Sequence, residues 1–148
     1  MYKHILIPTD GSETADKAVA GGIDYAREAG AQVTFFTAAP EYRPPTGAQM
    51  MSRQHVMSME EHERLSREKA GAILDAAAAR ARAAGVPCDI EHAMSDHPYQ
   101  AIIDAARRNR CDAIFMASHA RTGLAALWHG SETTEVLTHS DIPTLVYR

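Results

Sequence analysis

The sequence predicts an α/β fold: an open sheet of five parallel strands with helices on both faces. Two observations carry this. Five β-rich apolar runs are separated by four segments of helical periodicity, and a helix in each crossover favours parallel pairing with right-handed connections. One run, CDAIFMAS at 111–118, is nearly all apolar, as a central strand covered on both faces would be.

The first strand is the run HILIPTD, closed by Pro8 and Gly11. Ala15, Ala18, Val19, Gly22, Ile23 and Ala26 then recur at helical spacing up to Gly30, a natural helix stop. QVTFFTAA reads as a second, buried strand. The proline-rich loop PEYRPPTG follows, and then a long helix with Leu65, Ala72, Ala76, Ala79 and Ala83 on the expected buried stripe, closing at Gly85. CDIEHAM alternates, with Cys88, Ile90, His92 and Met94 on one face, which suits a strand near a sheet edge. Tyr99, Ile102, Ile103 and Ala106 mark the third helix, SETTEVLTHS a short fourth, and PTLVYR the last strand. Residues 40–59, with three prolines and four methionines, read as a locally mobile connection.

Composition narrows the function. A chain of 148 residues with 45% hydrophobic content suits one domain spanning 1–148. Its net charge of -4, with 15 basic residues scattered among 19 acidic ones, offers no basic face for nucleic acid or an anionic membrane. No apolar run approaches the ~20 residues of a bilayer span or forms a signal sequence, so a soluble, cytoplasmic protein is expected. Cys88 and Cys111 lack metal-ligand spacing and read as buried free thiols.

In open α/β sheets, ligands sit beyond the carboxyl ends of the strands, where the strand order reverses. That points to the loops PTDGS (Pro8, Thr9, Asp10) after the first strand and ASHARTG (Ala117, Ser118, His119, Ala120, Arg121) after the fourth. Gly130-Ser131 opens the following helix, where unpaired amides and the helix dipole make an anion site. Ser131 would also serve as a plain helix cap, with Glu132 and Glu135 already at the positive end. Asp10 stands three positions before Glu13, an arrangement that starts a helix without any ligand, and Ser12 is the other candidate cap.

The opening ILIPTDGSETADKAV and the closing DAIFMASHARTGLAALWHGSETTEVLTHSDIPTLVYR together resemble the universal stress protein family over essentially the whole chain. The resemblance implies an adenine nucleotide α-hydrolase-like, Rossmann-like sheet of order 3-2-1-4-5 and a homodimer formed through the last strand. ATP-binding members carry Gly-x-x-Gly, nine residues, then Gly-Ser or Gly-Thr. Here the leading glycines are replaced by Ala117 and Ala120, while Gly130 and Ser131 keep the spacing. By resemblance Asp10 meets the ribose, Ala38 and Met116 line the adenine pocket, and Gly130, Ser131 and the Glu132 amide meet the phosphates, with Mg2+ or Mn2+ only as counter-ion. Glycine lets a backbone amide approach a ligand without a β-carbon, so two alanines imply lowered affinity rather than its loss. His119, Arg121 and His129 supply compensating charge or hydrogen bonds.

No nucleophile-and-base pair, phosphate loop with Gly-Lys-Ser/Thr or metal-binding aspartate pair is visible. The expected role is therefore binding, a stress-response protein acting through nucleotide-dependent interactions. The alternatives are a nucleotide-free interaction module and slow ATP hydrolysis, with His119 or His129 orienting water. His55, Met59 and His62, placed by their spacing on one helix face, together with Met50, Met51 and Met57, read as an adaptable surface or dimer contact rather than a metal site. His4 and His92 fall in strands and His97 and His139 near helix ends, where structural hydrogen bonds or the helix dipole account for them.

Overall fold

A computed structural model describes residues 1–52, 55–118 and 132–148. In chain order these form β1 (His4–Pro8), α1 (Glu13–Ala29), β2 (Gln32–Ala39), α2 (Gly47–Met51), α3 (Met59–Ala83), β3 (Cys88–Met94), α4 (Pro98–Arg108), β4 (Ala113–Ala117), α5 (Glu132–His139) and β5 (Thr144–Tyr147). The five strands pair in parallel in the order β3-β2-β1-β4-β5. The chain thus runs outward from β1 to β3, crosses back, and continues on the other side through β4.

Side-chain alternation in the central strands builds two cores. Ile5, Ile7, Val33, Phe35 and Phe115 face α1 and α3, where Ala18, Val19, Ile23 and Leu74 meet them. Leu6, Phe36, Ile114 and Met116 face the other way, against Ile102, Ile103 and Ala106 of α4 and Val136 of α5. Both faces of β4 are covered, as its continuous apolar run requires. The edge position of β3 also follows the alternating pattern. Ile90, however, is 43% exposed, as a side chain on an edge strand can be.

Helix α1 begins at Ser12, whose hydroxyl accepts from the Ala15 amide at 3.2 Å, and ends at Gly30 in the left-handed conformation. Ser12 rather than Asp10 is therefore the cap. The 40–59 connection holds α2, whose start is marked by the Thr46 amide donating to Gln49 Oε1 at 2.8 Å. This half of a capping box was legible as Thr-x-x-Gln.

The long helix α3 corrects the expected stripe. Its buried residues are Ala70, Leu74, Ala77, Ala78 and Ala81, whereas Ala72, Ala76, Ala79 and Ala83 are exposed. Alanines lie on every side of this helix, so small residues do not fix its phase. The one leucine in its second half does, through the larger apolar area it removes from water.

Candidate functional site

Where the sheet turns from its β1-β2-β3 half to its β4-β5 half, β1 and β4 lie side by side and their connections leave on opposite faces. In open α/β sheets such a reversal is the place where ligands bind, beyond the carboxyl ends of the strands. Pro8 ends β1, and Thr9 continues over the sheet, its amide donating to the Phe36 carbonyl at 2.8 Å. The Thr9 side chain is buried and accepts from the Gly11 amide at 3.2 Å; the exposed Asp10 accepts from the Ser12 amide at 2.9 Å. Gly11 has φ of 77°, and a β-carbon there would come within 3.0 Å of Ile73. Only glycine suits this turn, which carries the exposed Asp10 just past the carboxyl end of β1.

Ala38, near the end of β2, and Met116 of β4 both pack on the α4 side of the sheet, in the same cluster as Phe36. They flank β1 from either side. Ala117 is the last residue of β4, and no residue of that strand has positive φ. Its methyl group therefore causes no backbone strain. The Ser118 amide donates to the Tyr147 carbonyl at 2.9 Å, extending the β4-β5 ladder by one bond.

The expected contacts at His119, Ala120, Arg121, Gly130 and Ser131 lie outside the described residues, as does His129. Glu132, the first residue of α5, is described and exposed. Beside it stands a residue the sequence reading passed over. Thr133 is 5% exposed, and its hydroxyl donates to the Ala117 carbonyl at 2.8 Å. The first turn of α5 is thereby tied to the carboxyl end of β4. The only sequence signal for this was a threonine at the start of a helix, where a hydroxyl commonly serves as a cap.

Neither cysteine suits nucleophilic chemistry. Both are free thiols. Burial pushes the Cys111 thiol up to about 12, and burial also raises Cys88, whose sulfur donates to the Ala78 carbonyl at 3.7 Å. Both stay protonated and inert at neutral pH. His4 shares a 2.8 Å hydrogen bond with the buried Thr34 hydroxyl, a structural role. His139, in the last turn of α5, bonds the Glu135 carbonyl through Nδ1 at 2.9 Å.

The model of the universal stress protein family matches residues 1–148. A universal stress protein of Methanocaldococcus jannaschii is 27% identical over 148 residues, covering 100% of this chain and 83% of that protein. Two solved structures share the fold. One, a universal stress protein in complex with cAMP, has a TM-score of 0.75 at 20% identity, covering 99% of this chain and 97% of that one. The other, the universal stress protein from Archaeoglobus fulgidus in complex with dAMP, has a TM-score of 0.67 at 17% identity, covering 99% and 98%. With a family match running from residue 1 to 148 and the 3-2-1-4-5 sheet beneath it, the chain belongs to the universal stress protein family.

Proposed function

We propose that this protein binds an adenine nucleotide, ATP above all, in the crevice between β1 and β4, and acts through the interactions that binding changes. The observation that carries the reading is the Thr133 to Ala117 hydrogen bond. It holds the amino end of α5 beside the end of β4, where exposed amides and the helix dipole favour phosphate oxygens. Relatives of the same fold crystallised with cAMP and dAMP support an adenine ligand.

In this reading Pro8, Thr9 and Asp10 form one wall and Asp10 meets the ribose. Ala38 and Met116 contact the base, and Ala117, Ser118, His119, Ala120 and Arg121 carry the chain around the phosphates. Gly130, Ser131 and the Glu132 amide receive them, with Mg2+ or Mn2+ as counter-ion. The protein is a cytoplasmic, single-domain homodimer joined through β5. Among the described residues that edge strand pairs only with β4 and leaves Val146 and Tyr147 partly exposed, which supports an interface there.

Titration calorimetry with ATP tests the reading. Wild type binds, Ser131→Ala weakens binding by removing a hydroxyl from the phosphate site, and Ala120→Gly strengthens it by clearing a β-carbon. No heat with wild type and none with Ala120→Gly would overturn the reading and leave a nucleotide-free interaction module. Slow hydrolysis is a separate alternative. Phosphate release that survives substitution of both His119 and His129 would remove their proposed role in orienting water.

A further inference from the structure

The 40–62 segment contains chemistry that nucleotide binding does not use. Within thirteen residues it reads Met50-Met51-Ser-Arg-Gln-His55-Val-Met57-Ser-Met59-Glu-Glu-His62, four thioethers and two imidazoles. The structure corrects the idea that His55, Met59 and His62 share one helix face: α3 begins at Met59, so His55 precedes it. Instead, His55, Met57 and His62 line one cavity of about 370 Å³, together with Tyr42 and Asp96.

The hydrogen bonds at the two histidines fix which ring nitrogen is left for a ligand. His62 Nε2 lies 2.8 Å from the Pro40 carbonyl oxygen, which only accepts, so Nε2 carries the proton. His55 Nε2 lies 3.0 Å from a Glu61 carboxylate oxygen and donates in the same way. In each neutral ring the lone pair is then on Nδ1. A histidine whose outer N–H is held by a carboxylate or a backbone carbonyl is the usual arrangement of a metal-binding imidazole.

We propose that His55 Nδ1, His62 Nδ1 and the Met57 sulfur form a binding site for a soft monovalent cation, copper(I). Thioether sulfur selects soft cations, whereas zinc, magnesium and calcium favour thiolate, imidazole or oxygen donors. Among the described residues no group of three or more His, Cys, Asp or Glu could hold a metal ion, so the methionine is what defines this site. The exposed Met59, two positions beyond Met57, is the nearest further sulfur in sequence.

The test titrates the full chain, without nucleotide, with copper(I) under anaerobic conditions against a chromophoric copper(I) chelator. One equivalent per chain binds. Met57→Leu, which keeps the bulk but removes the sulfur, weakens it by about tenfold or more, as do His55→Asn and His62→Asn. Glu61→Gln, which removes only the outer carboxylate, weakens it by roughly tenfold. Cys88→Ser leaves it unchanged. Far-ultraviolet circular dichroism of each variant checks that the fold is kept. Failure to compete for copper(I), binding indifferent to Met57→Leu, loss in Cys88→Ser, or zinc binding as tightly as copper(I) would each overturn the site. None of these results bears on the nucleotide reading, since no nucleotide is present.

Discussion

Burial decides the titration of several side chains away from the crevice. His4 is lowered from its ordinary 6.5 by burial, against the pull of Asp112 and Asp89. A folded-state value below the unfolded one means the fold favours the neutral ring. That contribution is fully present above 6.5 and is lost as pH falls through the folded value, because the unfolded chain takes up the proton first. Urea midpoints at pH 7.5 and 5.5 should therefore fall more for wild type than for His4→Gln; equal falls would remove His4 from the account. Cys111, pushed up to about 12 by burial, should resist a disulfide reagent at pH 8 in the native protein and react at once in denaturant. Rapid native labelling of Cys111 would contradict its placement in the core.

The helices raise a question of phase, which α3 answers against its alanines. Leu74 is 1% exposed and Leu65 is 39% exposed, so Leu74→Ala should cost about 2–5 kcal/mol while Leu65→Ala stays within about 0.5 kcal/mol. A larger loss at Leu65 than at Leu74 in denaturant titrations would restore the stripe read from the sequence. Helix α1 depends on close approach instead. A β-carbon at Gly22 would stand 2.5 Å from the end of Ile7 and 3.2 Å from Phe115, all in the core. Gly22→Ala gains about 1 kcal/mol of helix propensity yet forces core side chains off their rotamers at roughly 1–3 kcal/mol. Net destabilisation is expected, read as a lower urea midpoint. Gly22 looked like one more small residue on a helical stripe, and only the contact with β1 shows why it is small.

The proposed nucleotide site and the proposed dimer edge are both properties of the whole sheet. A nucleotide that binds only the folded chain stabilises it by about 2.7 kcal/mol at a hundred times its dissociation constant. Thermal unfolding should therefore shift upward with ATP in wild type and less in Ser131→Ala. An identical shift in both would remove Ser131 from the site. If β5 is the dimer seam, Val146→Asp places a charge on a partly exposed edge position. It should yield monomers by light scattering, while wild type remains dimeric; a dimeric variant would move the interface elsewhere. The alternation of β-rich runs with helical stripes already specified the strands, and the two ends of the chain carried the family motif, because these patterns are local. The buried face of α3, the tie from Thr133 to Ala117 and the bond of His62 to the Pro40 carbonyl were settled by packing. Alanine is equally at home on every side of a helix, and a threonine or histidine has several partners within reach of the unfolded chain. The choice among them is made by residues distant in sequence, which meet only when the sheet has formed.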